Sequence, residues 1–173
     1  PRVIRPLNYG TAAPGRGAAI IEKSAGRLGV LNLMSRTAMQ SVDMPYDVFE
    51  RQMADWQGRV DWVIVDFHGE CVTEKQVFAH AVADRVIAVL GTHTHVATLD
   101  TQIIAGTTAY VSDVGMTGPT GGIQGYAPEM FVESLRLRLP GQAPFTFATG
   151  EVELGAVLIT LEQSRAVHIE RLR

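Results

Sequence analysis

Three histidines stand where two strongly apolar segments end. His68 follows the β-branched run 60–67 (VDWVIVDF), and His93 and His95 follow the apolar run 86–90 (VIAVL). Reactive groups gather at the carboxyl ends of strands in open α/β sheets, so we expect these side chains to face one crevice. Residues i and i+2 of an extended backbone point the same way, and neutral imidazoles bind transition metals. The pattern therefore predicts a metal site formed by His68, His93 and His95.

Two aspartates and a glycine-rich segment are candidates for supporting roles. Asp66 and Asp113 are placed to orient a metal-binding histidine, although a structural hydrogen bond or a turn explains each of them equally well. The segment 115–125 (GMTGPTGGIQG) offers backbone amides free of side chains. Gly115 and Gly118 are therefore candidates for binding an anionic substrate, and a flexible surface loop is the alternative.

The remaining histidines and the cysteine indicate no second site. His80 falls within a helical pattern and His168 on the polar face of a terminal strand, so neither is assigned a catalytic role. Cys71 lies three residues after His68, which raises a Cys/His nucleophile as an alternative. Proximity along the chain is weak support, and a buried thiol without a chemical role is the favoured interpretation of Cys71.

Composition limits the classes of protein that fit. The chain has 173 residues, 46% of them hydrophobic, with 15 Lys and Arg against 18 Asp and Glu and a net charge of −3. A slightly acidic chain gives no general field for duplex nucleic acid, whereas a small anionic substrate remains compatible. A single cysteine requires no oxidising compartment, which favours the cytoplasm, and no apolar run approaches membrane-spanning length.

Periodicity predicts the elements that position these residues. After a lead-in over 1–17, the predicted elements are, in chain order, a hairpin of strands 18–23 and 27–34, a helix over 45–57, a strand over 60–67, a helix over 73–83 opened by a capping box of Thr73 and Gln76, strands over 86–90 and 107–112, a helix over 129–137, and strands over 145–148, 151–161 and 166–172. The alternation of strand, helix and strand indicates an α/β fold, and the length indicates one domain over 1–173.

Three motifs in this order resemble a known family. They are Val65-Asp66-Phe67-His68, Gly91-Thr92-His93-Thr94-His95-Val96 and the segment 112–119 (SDVGMTGP). Together they are similar to the bacterial YmdB-type branch of the calcineurin-like metallophosphoesterases, and Arg5-Pro6-Leu7-Asn8 fits the same pattern. The resemblance implies a sandwich of two mixed β-sheets flanked by helices, in α-β-β-α layers. It also implies hydrolysis of small phosphodiesters such as 2′,3′-cyclic nucleotides at a two-metal centre of iron or manganese, divalent or mixed-valence.

The resemblance also assigns ligands. By the family pattern, His68 and His93 bind one metal and His95 the other, and two ions clamp the attacking and leaving oxygens of an in-line displacement. The Gly-Asp, Gly-Glu-Asn and Gly-Asn-His motifs with which family members begin are absent from this sequence. The histidine that protonates the leaving group is therefore unassigned here. We expect the chain to be the carboxy-terminal part of such a domain, incomplete at its amino end, with an exposed sheet edge that favours self-association.

Two alternatives from other classes stay open at this point. The chain could be a non-catalytic binding or regulatory module that retains the fold. It could also be an unrelated His-x-His metallohydrolase that acts on esters or amides. Substrate class separates the three hypotheses.

Overall fold

The computed structural model describes residues 3–141 and 144–172. These residues form the following elements: β1 (Ala18–Lys23), β2 (Gly26–Met34), α1 (Pro45–Asp55), β3 (Trp62–His68), α2 (Val72–Val82), β4 (Ala88–Thr92), β5 (Gln102–Ile104), β6 (Thr108–Val111), β7 (Thr117–Pro119), α3 (Glu129–Leu137), β8 (Val152–Leu154), β9 (Ala156–Glu162) and β10 (Arg165–Leu172). None of the helices in these ranges has the length and apolar character needed to cross a bilayer. The first two residues of the predicted lead-in and the last residue of the predicted domain lie outside the described ranges.

A six-stranded sheet in the order β1-β2-β3-β4-β6-β5 forms the centre of the fold. Strands β2, β3, β4 and β6 run parallel, while β1 and β5 pair antiparallel at the two edges. Parallel neighbours need a crossover connection, which contains α1 between β2 and β3 and α2 between β3 and β4. The predicted α/β class is confirmed. The carboxyl ends of four strands therefore lie at the same edge of the sheet.

One face of the sheet packs against α1 and α2. Alternate residues of β3, among them Val65 and Phe67, are fully buried in this core. The Phe67 ring lies 4.7 Å from the Phe78 ring of α2, and Phe78 in turn meets Phe49 of α1 edge to face. Since side chains alternate along a strand, burial of this set turns its neighbours to the opposite face.

The β9–β10 hairpin covers part of that opposite face. Ala166 and Ile169 of β10 are buried in a second cluster with Ala109 and Val111 of β6. The predicted turn at Gln163 and Ser164 joins the two antiparallel strands. The described residues thus place a β layer against the sheet on the side away from α1 and α2, as in a sandwich.

The predicted capping box at the start of α2 is wrong. The helix begins at Val72 with Cys71 in the N-cap position and has no side-chain cap. Thr73 therefore lies inside the first turn.

The carboxylate of Glu74 accepts hydrogen bonds from the Ser35 hydroxyl and from the backbone amides of Arg36 and Thr37, in the turn that follows β2.

The predictions near the carboxyl end need two corrections. Residues 145–148 do not form a strand, because Phe145 and Phe147 pack on Tyr126, and only one isolated bridge joins Tyr126 to Phe147. The predicted strand 151–161 divides at Gly155, whose amide donates to the Met116 carbonyl. A Cβ at Gly155 would lie 2.6 Å from that oxygen. The first half, β8, pairs with β7, and the second, β9, pairs with β10.

The hydrogen bonds of Glu74 make stability depend on pH. Burial raises the pKa of this carboxyl, but the bonds from the turn at 35–37 outweigh burial and leave its pKa below the ordinary value. The folded chain therefore binds this proton more weakly than the unfolded chain. The stabilisation is complete above the unfolded-state pKa of about 4.3 and is lost as pH falls through the folded-state pKa.

Urea unfolding of the wild type and of Glu74→Gln tests this dependence. We expect the difference in the free energy of unfolding between the two proteins to be largest near neutral pH and to shrink as the pH falls below about 4.3. The exposed Glu162→Gln variant serves as a control that should follow the wild type. A difference for Glu74→Gln that stays constant down to about pH 3 would show that the charge of Glu74 is not involved.

Candidate metal centre

The predicted histidines lie at the carboxyl edge of the parallel strands. His68 is the last residue of β3, and His93 follows β4 directly. In the strand register His68 is paired with Thr92, so the two strand ends meet at this point. Asp113 follows the end of β6, the next strand in the sheet.

A chain of hydrogen bonds fixes the His68 ring. The Thr92 hydroxyl donates to Oδ1 of Asp66 at 2.8 Å, and the Asn32 amide donates to Oδ2 at 2.7 Å. Because the Thr92 proton is directed to Asp66, the Thr92 oxygen is the acceptor for Nδ1 of His68, which lies 3.0 Å away. His68 then carries its proton on Nδ1, and its Nε2 presents a lone pair. Burial, followed by the neighbouring His93, lowers the pKa of His68, which favours this neutral form.

That lone pair faces His93. Nε2 of His68 lies 3.2 Å from Nδ1 of His93, and the two rings are nearly perpendicular. On the other side of the second ring, Nε2 of His93 lies 3.2 Å from a carboxylate oxygen of Glu70. A neutral His93 that donates to Glu70 presents a lone pair on Nδ1. Two lone pairs then face each other, and this contact is favourable only when a proton or a cation lies between them.

This pair of imidazoles fits a transition metal. Nitrogens that each bind one cation at about 2.0–2.1 Å lie roughly 3 Å or slightly more apart, and the two histidine nitrogens are separated by 3.2 Å. Within residues 3–141 and 144–172, no group of three or more His, Cys, Asp or Glu side chains is arranged to hold a metal ion. The described chain thus brings together two of the three predicted ligands.

His95 and the glycines after it form other contacts. Nδ1 of His95 lies 2.9 Å from the backbone carbonyl of Gln124, and Nε2 of the Gln124 side chain donates to the Thr94 carbonyl. The Gly115 amide donates to the Asp113 carboxylate at 2.9 Å, so it would bind an anion only if this bond opened. Gly118 lies within β7 and is paired with β8. Roles for His95, Gly115 and Gly118 stay predictions.

The loop that carries the histidines is strained. His93 has φ = 126° and His95 has φ = 64°, conformations that residues with a Cβ rarely adopt. Strain of this kind persists only where surrounding contacts impose it. Oδ2 of Asp113 accepts a hydrogen bond of 2.7 Å from the Thr94 amide, between the two histidines.

Cationic side chains fix the backbone around this loop. The ammonium of Lys75 donates to the carbonyls of Thr92 and Ser112, and it lies 3.7 Å from the Asp113 carboxylate. From β10, the Arg171 guanidinium donates to the carbonyls of Asp113, Val114 and Thr98. Sequence reasoning missed Lys75 and Arg171.

Sequence reasoning also missed Thr92 and Glu70 as neighbours of the histidines. The contact of Thr92 with the histidines could have been predicted from its position, since it precedes His93 and ends the strand that pairs with the strand of His68. Glu70 carried a weaker signal, because it follows the strand in a loop of unpredictable path. A polar side chain at the end of a neighbouring parallel strand is the clue that would have found Thr92.

Comparison with known proteins identifies the family of the chain. The family described as YmdB-like protein matches residues 1–172. The chain belongs to the YmdB-like family. It is 36% identical over 174 residues to the 2′,3′-cyclic-nucleotide 2′-phosphodiesterase of Bacillus subtilis, an alignment that covers 99% of this chain and 65% of that protein.

Two solved structures are similar to this YmdB-like chain throughout. One is a hypothetical protein from Thermus thermophilus, with a TM-score of 0.90 and 36% identity over 98% of this chain and 66% of that one. The other is a novel phosphatase from Mycoplasma pneumoniae, with a TM-score of 0.87 and 27% identity over 98% of this chain and 62% of that one. The chain thus spans slightly less than two thirds of the length of these relatives.

Proposed function

We propose that this YmdB-like chain serves a metal-dependent phosphodiesterase that hydrolyses small phosphodiesters, with 2′,3′-cyclic nucleotides as the first candidates. We further propose that the reaction uses a two-metal centre of iron or manganese. The observation that carries the proposal is the pair of facing imidazole nitrogens, 3.2 Å apart, in His68 and His93. Membership in the YmdB-like family and the name of the Bacillus subtilis relative support the choice of substrate.

The chain's own residues hold and orient the site. Nε2 of His68 and Nδ1 of His93 would bind one cation, and His95 would serve a second. Thr92 accepts from Nδ1 of His68, and Glu70 lies within hydrogen-bond distance of Nε2 of His93, so Nε2 of His68 and Nδ1 of His93 are the nitrogens left to face a cation. Supporting partners of this kind set the orientation and basicity of ligands.

The reaction adds water across one P–O ester bond and yields a phosphomonoester and a free hydroxyl. When bound, the metal ions would lower the pKa of the attacking water and neutralise charge on the phosphoryl oxygens. The described residues suggest no proton donor for the leaving oxygen, so this role stays unassigned.

A small substrate of this class agrees with the acidic composition, which gives no general attraction for duplex nucleic acid. A cytoplasmic location likewise stays a prediction.

Removal and return of metal tests the proposal. The protein is treated with EDTA, dialysed and assayed with 2′,3′-cyclic AMP, and the product is separated by chromatography. We expect no turnover after EDTA and recovery of nucleoside monophosphate formation with Mn²⁺ or Fe²⁺, because imidazole ligands suit iron and oxygen ligands suit manganese.

Each other result favours a different function. Metal binding without turnover of cyclic nucleotides or of aryl phosphodiesters would favour the non-catalytic module. Cleavage of acyl esters with phosphodiesters left intact would favour a different hydrolase, although family membership leaves an unrelated His-x-His enzyme without support. Turnover that is insensitive to EDTA would contradict metal dependence.

A further inference from the structure

The geometry assigns a positioning role to the buried pair of Lys75 and Asp113: together they hold the strained loop at 92–96 in the conformation that directs His93 towards His68. This inference rests on the proposed function, because it concerns the same metal centre. Neither residue contacts the imidazole nitrogens directly. Both act through the backbone, on the residues before and between the histidines.

The strained loop needs contacts that hold its conformation, and the pair provides them. Both His93 and His95 have positive φ angles, and Thr94 lies between them. The Asp113 carboxylate accepts from the Thr94 amide through Oδ2 and from the Gly115 amide through Oδ1. One side chain thus joins the centre of the strained loop to the segment that leaves β6.

Lys75 joins the same two strand ends from α2. Its Nζ donates to the Thr92 carbonyl at 2.9 Å and to the Ser112 carbonyl at 2.7 Å. Thr92 immediately precedes His93, and Ser112 immediately precedes Asp113. The ammonium therefore fixes the backbone on the amino-terminal side of both His93 and Asp113.

Burial of both charges indicates a specific role. Only 1% of the Lys75 side chain and 2% of the Asp113 side chain are exposed. Desolvation of two charges is costly and is offset only when each is paired and hydrogen-bonded. Burial lowers the pKa of Lys75, and Asp113 partly restores it. An apolar pair of the same volume would fill this space, but it could not bind two carbonyls and two amides at the root of the histidine loop.

The experiment compares Lys75→Met with Phe49→Leu, a core substitution in α1 on the helical side of the sheet. Mn²⁺ binding is measured from the electron paramagnetic resonance signal of the free ion. Exchange of the Thr94 amide is measured in the metal-free protein. We expect both variants to unfold at lower temperature than the wild type. Only Lys75→Met should bind Mn²⁺ about 10- to 100-fold more weakly, as loss of a supporting partner does, and only Lys75→Met should exchange the Thr94 amide faster.

Other results would overturn the inference in distinguishable ways. If the Thr94 amide exchanges at the same rate in Lys75→Met and in the wild type, the pair has no positioning role, regardless of the Mn²⁺ affinity. If Phe49→Leu weakens Mn²⁺ binding as much as Lys75→Met does, Lys75 contributes only to the stability of the fold. Absence of Mn²⁺ binding by the wild type itself removes the proposed function, while the exchange measurement still decides the role of the pair. If Lys75→Met does not fold, Asp113→Asn is measured in its place, with the same expected changes.

Discussion

Replacement of His93 by alanine is expected to remove both metal binding and phosphodiester hydrolysis. His93 provides one of the two facing nitrogens, which lie 3.2 Å apart, and its loss leaves Nε2 of His68 without the facing nitrogen. The affinity for Mn²⁺ should fall by more than the roughly 10- to 100-fold that loss of a supporting partner causes. Metal content by elemental analysis and turnover of 2′,3′-cyclic AMP measure the two effects.

The control for this substitution is His168→Ala. His168 lies on the exposed side of β10, 3.7 Å from Glu170, and it has no part in the proposed site. We expect wild-type metal content and turnover from this variant. Equal metal content in His93→Ala and His168→Ala would contradict the assignment of His93 as a ligand, while the fold and the family membership would stand.

The second large effect is expected from Gly91→Ala. Gly91 lies in β4 directly before Thr92, and a Cβ on it would overlap both the carbonyl oxygen and the carbonyl carbon of Ser112. Both neighbours are backbone atoms, so no side-chain rotation relieves the overlap. The cost should reach or exceed the upper end of the usual range for overpacking, about 3 kcal/mol. In a chain of this size that lowers Tm by roughly 6–12 °C.

The same substitution should also disturb the metal centre. The Ser112 carbonyl that would be displaced is the one that accepts from Lys75. Gly10→Ala is the matched control, because a Cβ at Gly10 meets nothing within 4 Å. Its Tm should stay within about 1–2 °C of the wild type, as for surface substitutions. Thermal unfolding by circular dichroism decides the matter, and equal Tm values for the two variants would contradict the packing argument.

Most elements of the fold were predictable because their patterns are long. The hairpin β1–β2, helix α3 and strand β10 lie close to their predicted positions, since each shows several periods of alternation or of helical spacing. Strands β5 and β7 have three residues each, which is too short to show a period. Their pairing depends on partners elsewhere in the chain.

The site was predictable only in part for a related reason. The proximity of His68 and His93 was predictable because both follow apolar runs, and strand ends of a parallel sheet meet. Lys75 gave no signal, since a lysine in an amphipathic helix ordinarily extends into solvent. The carbonyls that it binds lie 17 and 37 residues further along the chain, and only the folded topology brings them together.

Arg171 has a consequence for how the protein matures. Its guanidinium binds carbonyls of Thr98 and Asp113, which precede it by 73 and 58 residues. Contacts of such long range form late, because the intervening chain must first be ordered. On the ribosome, the nascent polypeptide must be synthesised through Arg171 before these hydrogen bonds can form. A nascent chain that stops before Arg171 is therefore expected to lack these hydrogen bonds and to bind the proposed metal more weakly than a chain that includes Arg171.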